Sequence, residues 1–318
     1  MSNAMSYAVV RDLAGDLART SHPEPSAAVT LIAAALAASS GRSVAGVVVV
    51  ALAVGTGQLS VGWSNDYFDR VRDASSGRDD KPVALGALPA RTVGVAAIVT
   101  LVACVPLSLL SGWRAATAHL IAVALAWLYN MGVKGTAASL IPFAIAYALL
   151  PAFIVLGLPG HPMPAWWLLL AGALLGCGGH FANVLPDLDE DLRAGVRGVP
   201  HRVGARWSLW LAVTLLAAAS AVIAFGPGSV GPTAIAGLAV TGAAVVAVLV
   251  GATTWRPMAV TTGTSVDTAG PNSPNSPGTP DGSGRGNPTP VGRGAFRVIL
   301  AVALADVALL VAAGPNLV

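Results

Sequence analysis

Asn65-Asp66-Tyr67-Phe68-Asp69-Arg70-Val71-Arg72-Asp73 closes a long apolar run, and its reading decides the fold. Asn65, Asp69 and Asp73 are spaced by four. At about 100° per residue, side chains at that spacing share one slowly drifting helical stripe. Like charges so placed repel one another, and the row makes sense when a cation lies over it. The spacing returns at Asn183, Asp187 and Asp191, again at the end of an apolar run. Two copies in a chain with only 15 acidic residues suggest that the remainder is a scaffold for bringing them together.

The surroundings of the two motifs are those of a membrane protein. Of 318 residues, 55% are hydrophobic and 10% charged, against about 25% charged in an ordinary soluble domain. Mean hydropathy is +0.71. The composition predicts an all-α, polytopic membrane protein. A formal charge of +3 gives no case for nucleic acid. Cys104 and Cys177 both lie in apolar runs, which argues against a disulfide framework. The first 20 residues carry Arg11, Asp12, Asp16 and Arg19 and no apolar core of the kind a secretory signal needs.

Apolar runs at about 26–40, 44–64, 92–111, 115–131, 137–157, 165–185, 206–226, 231–250 and 295–314 predict nine transmembrane helices. Met1-Ser2-Asn3-Ala4-Met5 (residues 1–5) reads as an expression remnant, and residues 7–21 as an interfacial amphipathic helix. Helices 1–8 occupy 23–255, with the acidic motifs in loops 2–3 and 6–7. The Pro-, Gly- and Ser-rich stretch 256–293 is expected to be disordered, and 294–318 holds the ninth helix. Of the 18 Lys and Arg, all but Arg42 and Arg114 fall on the side that carries both motifs. That bias predicts a cytoplasmic N-terminus, cytoplasmic motif loops and an outer C-terminus in a multi-pass cell-membrane protein. Asp306 lies alone in the last span. Its two readings are a functional ionisable group and a hydrogen bond between packed helices.

Carboxylates and amides are hard oxygen donors of the class Mg²⁺ prefers. The candidate metal ligands are Asn65, Asp69, Asp73, Asn183, Asp187 and Asp191. Arg72, Arg78 and Lys81 flank the first motif, Arg197 and Arg202 follow the second, and Lys134 ends the fourth span on the same side. Acids that hold a metal beside bases that hold phosphate oxygens describe a metal–diphosphate site. Phe68, Tyr129 and His180 are candidates for lining a substrate pocket, with Tyr67 and Trp63 as further rings near the first motif. No Cys/His cluster has zinc-ligand spacing, and no phosphate-binding P-loop is present. Pro186 predicts a bent or partly unwound segment around Asp187 and Asp191.

These features resemble the UbiA superfamily of intramembrane aromatic prenyltransferases. The first motif has the family's NxxxDxxxD form, and Asp187-Leu-Asp-Glu-Asp191 has its DxxxD form. Asp80-Lys81-Pro82 with Gly86, Val199-Pro200, Arg202-Val-Gly204, and Tyr129 with Lys134 match further family positions, whereas Gly198 stands where many relatives have Thr or Ser. The resemblance implies a nine-helix bundle with a cytoplasmic cap. It also implies two or more Mg²⁺ ions bridging an isoprenyl diphosphate, and transfer of the isoprenyl group to a small aromatic acceptor, such as a quinone precursor, or to a lipid acceptor, with membrane lipid as a partner. No obligate protein partner is implied. A terpene cyclase using the same motifs without an acceptor is the alternative within the family. A transporter is the alternative outside it, and it fits less well because Asp306 is the one acid placed deep.

Overall fold

The computed structural model describes residue 13 and residues 15–75, 81–228, 231–253 and 290–313, and all regular structure among them is helical. Residues 7–12, Arg78 and positions 256–289 of the expected disordered stretch lie outside the described residues. The long helices are α1 (Pro23–Ser39), α2 (Val44–Ser75), α3 (Ala90–Leu109), α4 (Trp113–Asn130), α5 (Leu140–Leu156), α6 (Trp166–Val184), α8 (Val199–Phe225), α9 (Pro232–Thr253) and α10 (Pro290–Ala312), with a short α7 (Leu188–Arg193) between α6 and α8. Among the described residues, α2, α3, α6 and α8 are long and apolar enough to cross a membrane.

Two helices differ from the sequence expectation in ways that shape the site. Helix α2 runs for 32 residues, because no proline interrupts the passage from the apolar run into the acidic motif. The Asn65–Asp73 stripe is therefore the last part of a helix rather than a loop. Helix α8 starts at Val199, with Pro200 in its first turn, and breaks at Gly204, whose φ of 80° a side chain would resist. Its opening turn is thereby set apart from the long apolar part.

Consecutive helices pack side by side, and α10 lies against α1, α6, α8 and α9 to close the bundle. Small residues allow the closest crossings. A Cβ at Gly172 would stand 2.4 Å from the Tyr147 carbonyl, and one at Gly176 would stand 2.5 Å from that of Phe143, so α5 and α6 meet backbone to backbone. The main apolar core gathers Leu36, Val50, Val54, Phe153, Ile154, Trp167 and Leu168 at the end of the bundle away from the acidic motifs. Arg42 closes that end, with Nη2 2.9 Å from the Ile154 carbonyl and Nη1 3.1 Å from Ser111 Oγ. It supplies donors to carbonyls in the last turn of α5, which lack helical partners. Asp306 is fully buried and accepts a hydrogen bond from Ser220, whose hydroxyl lies 2.8 Å from that of Thr241. This cluster ties α8, α9 and α10 together.

Candidate active site

Along α2, Asp69 and Asp73 are buried and Asn65 is half-buried. The stripe is held by cations. Lys134, in a one-turn 3₁₀ segment (Val133–Gly135), donates to both carboxylate oxygens of Asp69. Arg72 Nη2 lies 2.8 Å from Asp69 Oδ2. Burial pulls the Lys134 ammonium below the ordinary lysine range, and the Asp69 charge opposes that shift. Asn65 donates through Nδ2 to Asn130 Oδ1 at 3.2 Å.

Asp66, on the same helix, faces different partners. It is 2% exposed, with Oδ1 2.6 Å from Lys81 Nζ and 3.0 Å from His22 Nε2. His22 has a left-handed backbone (φ 51°) at the entry to α1. The segment before it lies tightly on α2: Trp63 Nε1 donates to the Leu17 carbonyl at 2.9 Å, and a Cβ at Gly62 would stand 2.3 Å from the Ser21 carbonyl. The N-terminal segment thus packs on α2, with Thr20 and Ser21 buried. Lys81, read from sequence as a phosphate ligand, is drawn to Asp66.

The second motif does not form one continuous stripe. Helix α6 ends at Val184, and Leu185, Pro186 and Asp187 form a turn before α7 begins at Leu188. Proline removes a backbone donor and clashes with the preceding turn, so the helix stops where Pro186 predicts a break. Asn183 is exposed on the last turn of α6, Asp187 is exposed at the entry to α7, and Asp191 is half-buried on α7. His201 Nε2 lies 3.1 Å from Asp191 Oδ2. Arg197 donates to the Leu192 and Val196 carbonyls at 2.9 and 3.1 Å, and Arg202 Nε donates to the Arg197 carbonyl at 2.7 Å. Both arginines are exposed and here brace the loop between α7 and α8.

A short chain of contacts joins the two motifs. Lys134 sits on Asp69, and the Lys134 carbonyl is so near Gly198 that a Cβ there would stand 2.4 Å from it. The same Cβ would stand 3.3 Å from His201 Nδ1, and His201 reaches Asp191. Ser139 Oγ accepts from the Val199 N–H at 2.9 Å and lies 3.2 Å from His180 Nε2, which fastens the start of α8 to α5 and α6.

Aromatic rings lie just below. Tyr129 meets Phe143 edge-on at 5.0 Å and His180 at 5.7 Å, while Phe143 and His180 lie 4.5 Å apart. Phe68 meets Trp127 edge-on at 6.2 Å. Tyr67 instead carries Arg70 over its face at 4.5 Å and packs against Gly94 on α3. Trp63 is committed to the N-terminal segment. Sequence reasoning missed Asp66, His22, Asn130, Ser139, Phe143 and His201. The available signals were a buried-type carboxylate inside a basic and acidic stretch, and a histidine opening the helix that follows the second motif.

Among the described residues, no three His, Cys, Asp or Glu side chains stand together as a ready metal group. At Asp69 the Lys134 and Arg72 cations balance the carboxylate charge. The donor set around that position is hard oxygen, the class Mg²⁺ takes.

The profile of the UbiA prenyltransferase family matches residues 26–261. No relative was found among curated protein sequences. The structure is similar to that of a UbiA homolog from Aeropyrum pernix K1 in its apo form, at 17% identity and a TM-score of 0.65, covering 91% of this chain and 98% of that one. It is similar to a UbiA homolog from Archaeoglobus fulgidus bound to DMAPP and Mg²⁺, at 15% identity and a TM-score of 0.61, covering 93% and 99%. It is also similar to a digeranylgeranylglyceryl phosphate synthase, at 14% identity and a TM-score of 0.63, covering 97% and 99%. At these identities the structural likeness speaks for the fold.

Proposed function

The chain belongs to the UbiA prenyltransferase family, and from that premise we propose that it transfers an isoprenyl group from an isoprenyl diphosphate to a small aromatic or lipid acceptor, with Mg²⁺, releasing diphosphate. The observation that supports this reading is the run of contacts from Asp69 through Lys134, Gly198 and His201 to Asp191, which links two motifs far apart in sequence. The A. fulgidus homolog, bound to DMAPP and Mg²⁺, supplies the ligand chemistry by likeness.

Asn65, Asp69 and Asp73 from α2, with Asn183, Asp187 and Asp191 from the α6–α7 turn, would hold two or more ions. Bound Mg²⁺ would neutralise the diphosphate and stabilise it as a leaving group. Lys134 and Arg72, which hold Asp69 here, would donate to diphosphate oxygens. Lys81, Arg197 and Arg202 supply further positive charge at the same end, and Arg78 follows the first motif in sequence. Heterolysis of the allylic C–O bond leaves a carbocation. The acceptor's electron pair forms the new bond, and the acceptor then loses a proton. Phe68, Tyr129, Phe143 and His180 shield the cation from water, and the rings stabilise its charge. The helices number nine crossings in this reading. Both motifs and the N-terminus face the cytoplasm, on the weight of Lys and Arg at that end, and the prenyl tail enters from lipid.

Purified protein incubated with Mg²⁺ and geranyl, farnesyl or geranylgeranyl diphosphate, with and without membrane extract, tests the reading. The expected result is a prenylated acceptor that forms only with extract and is lost in Asp69→Asn and Asp187→Asn. A cyclic hydrocarbon formed without extract assigns the chain to the cyclase alternative. Activity unchanged in both variants removes the metal assignment.

A further inference from the structure

Asn65 can serve a metal only through its amide oxygen, and the structure contains a device that decides which end of the amide faces outward. Asn130, the last residue of α4, is 5% exposed. Its Nδ2 lies 2.9 Å from the Val61 carbonyl and 2.8 Å from Ser64 Oγ. Ser64 donates its own hydroxyl hydrogen to the Val61 carbonyl at 2.8 Å, so toward Asn130 its oxygen accepts. Both neighbours are acceptors, and only the NH₂ group of Asn130 satisfies them. The Asn130 oxygen is therefore turned the other way, to Asn65, 3.2 Å from Nδ2. An oxygen there would repel it, so Asn65 must present its NH₂ group to Asn130 and its Oδ1 elsewhere. The same turn of α4 is fixed one step earlier by Trp127 Nε1, 2.9 Å from Ser60 Oγ, so α4 is bonded to α2 at two levels just before the chain leads on to Lys134.

We propose that Asn130 is a positioning residue: it sets the Asn65 amide oxygen-outward on the stripe shared with Asp69 and Asp73, making it an oxygen ligand for a divalent cation. The proposal rests on the metal reading above. Removing a group that orients a metal ligand weakens metal affinity by about 10- to 100-fold.

The test is direct binding of Mn²⁺, followed by electron paramagnetic resonance, to the detergent-solubilised full chain. The second ligand is geranyl thiolodiphosphate, in which sulfur replaces the bridging oxygen. Thermal unfolding is measured in parallel. Asn65→Ala and Asn130→Ala are each expected to weaken Mn²⁺ binding by at least about tenfold, and the double variant by no more than the worse of the two. Additive effects, or an Asn130→Ala that lowers the unfolding midpoint while binding Mn²⁺ like wild type, overturn the proposal and leave Asn130 a packing residue. If Asn130→Ala does not fold, Asn65→Asp decides. A carboxylate facing the fixed Asn130 oxygen is expected not to gain affinity despite its charge, and a tenfold tighter Mn²⁺ overturns the orientation. Failure of the metal reading itself looks different: wild type then binds Mn²⁺ no better than Asp69→Asn.

Discussion

Lys81 places its ammonium 2.6 Å from Asp66 Oδ1, and this pair joins the loop after α2 to the helix that carries the metal-type acids. His22 reaches the same oxygen from the N-terminal segment. Three segments therefore converge on one buried carboxylate, one turn before Asp69.

Removing one partner of a buried pair leaves the other charge uncompensated, at about 3–5 kcal/mol. Lys81→Met is expected near the lower end of that range, because His22 remains to share the Asp66 charge. The measurement is unfolding of the detergent-solubilised protein, together with KM for the prenyl diphosphate. An unchanged unfolding midpoint with a raised KM would return Lys81 to the phosphate role its sequence position suggests.

Lys134 stands between the two motifs and bears on Asp69 directly. Lys134→Ala removes a charged hydrogen bond to the proposed diphosphate, about 1.5–3 kcal/mol, equivalent to a loss of about 10- to 150-fold in kcat/KM. Lys134→Arg keeps the charge but brings a larger, planar head to the buried Asp69 carboxylate and is expected to recover only part of the rate. Equal activity of the alanine variant and wild type would show that Lys134 serves only to neutralise Asp69.

Gly198 stands where many members of the resembled family have Thr or Ser, whose hydroxyl can meet a phosphate. Here any side chain would meet the Lys134 carbonyl, since a Cβ would stand 2.4 Å from it. Gly198→Thr is therefore expected to push the 133–135 turn away from Asp69, costing about 1–3 kcal/mol by overpacking and lowering turnover. Turnover raised above wild type would mean that the turn yields and that the hydroxyl finds phosphate after all.

What was legible in the sequence was what is local in the chain. The helices follow from apolar runs, and the Asn65–Asp69–Asp73 stripe follows from a spacing of four on a helix without proline. The break at Pro186 is likewise a property of one residue. The rest of the site depends on partners brought together only by packing. Asn130 lies 65 positions from Asn65, His22 44 from Asp66, and Ser139 60 from Val199. Nothing in the spacing of those residues marks the pairing. Lys81, Arg197 and Arg202 show the same limit from the other direction. A basic residue near an acidic motif has several acceptors within reach, and only the fold selects among a carboxylate, a backbone carbonyl and a ligand.

Asp306 gives the sharpest contrast with the acids of the stripe. It is buried among apolar helices, and its visible partner is the Ser220 hydroxyl, itself beside Thr241. A carbonyl oxygen at position 306 is enough to accept from Ser220, so Asp306→Asn is expected to leave prenyl transfer and unfolding close to wild type. Asp306→Leu deprives Ser220 of that acceptor and is expected to destabilise the junction of α8, α9 and α10 by about 1–3 kcal/mol. Unfolding of the two variants, measured beside their turnover, separates a packing role from a functional one. If Asp306→Asn abolishes transfer while the protein unfolds like wild type, the carboxylate has a role in the reaction and the packing assignment fails.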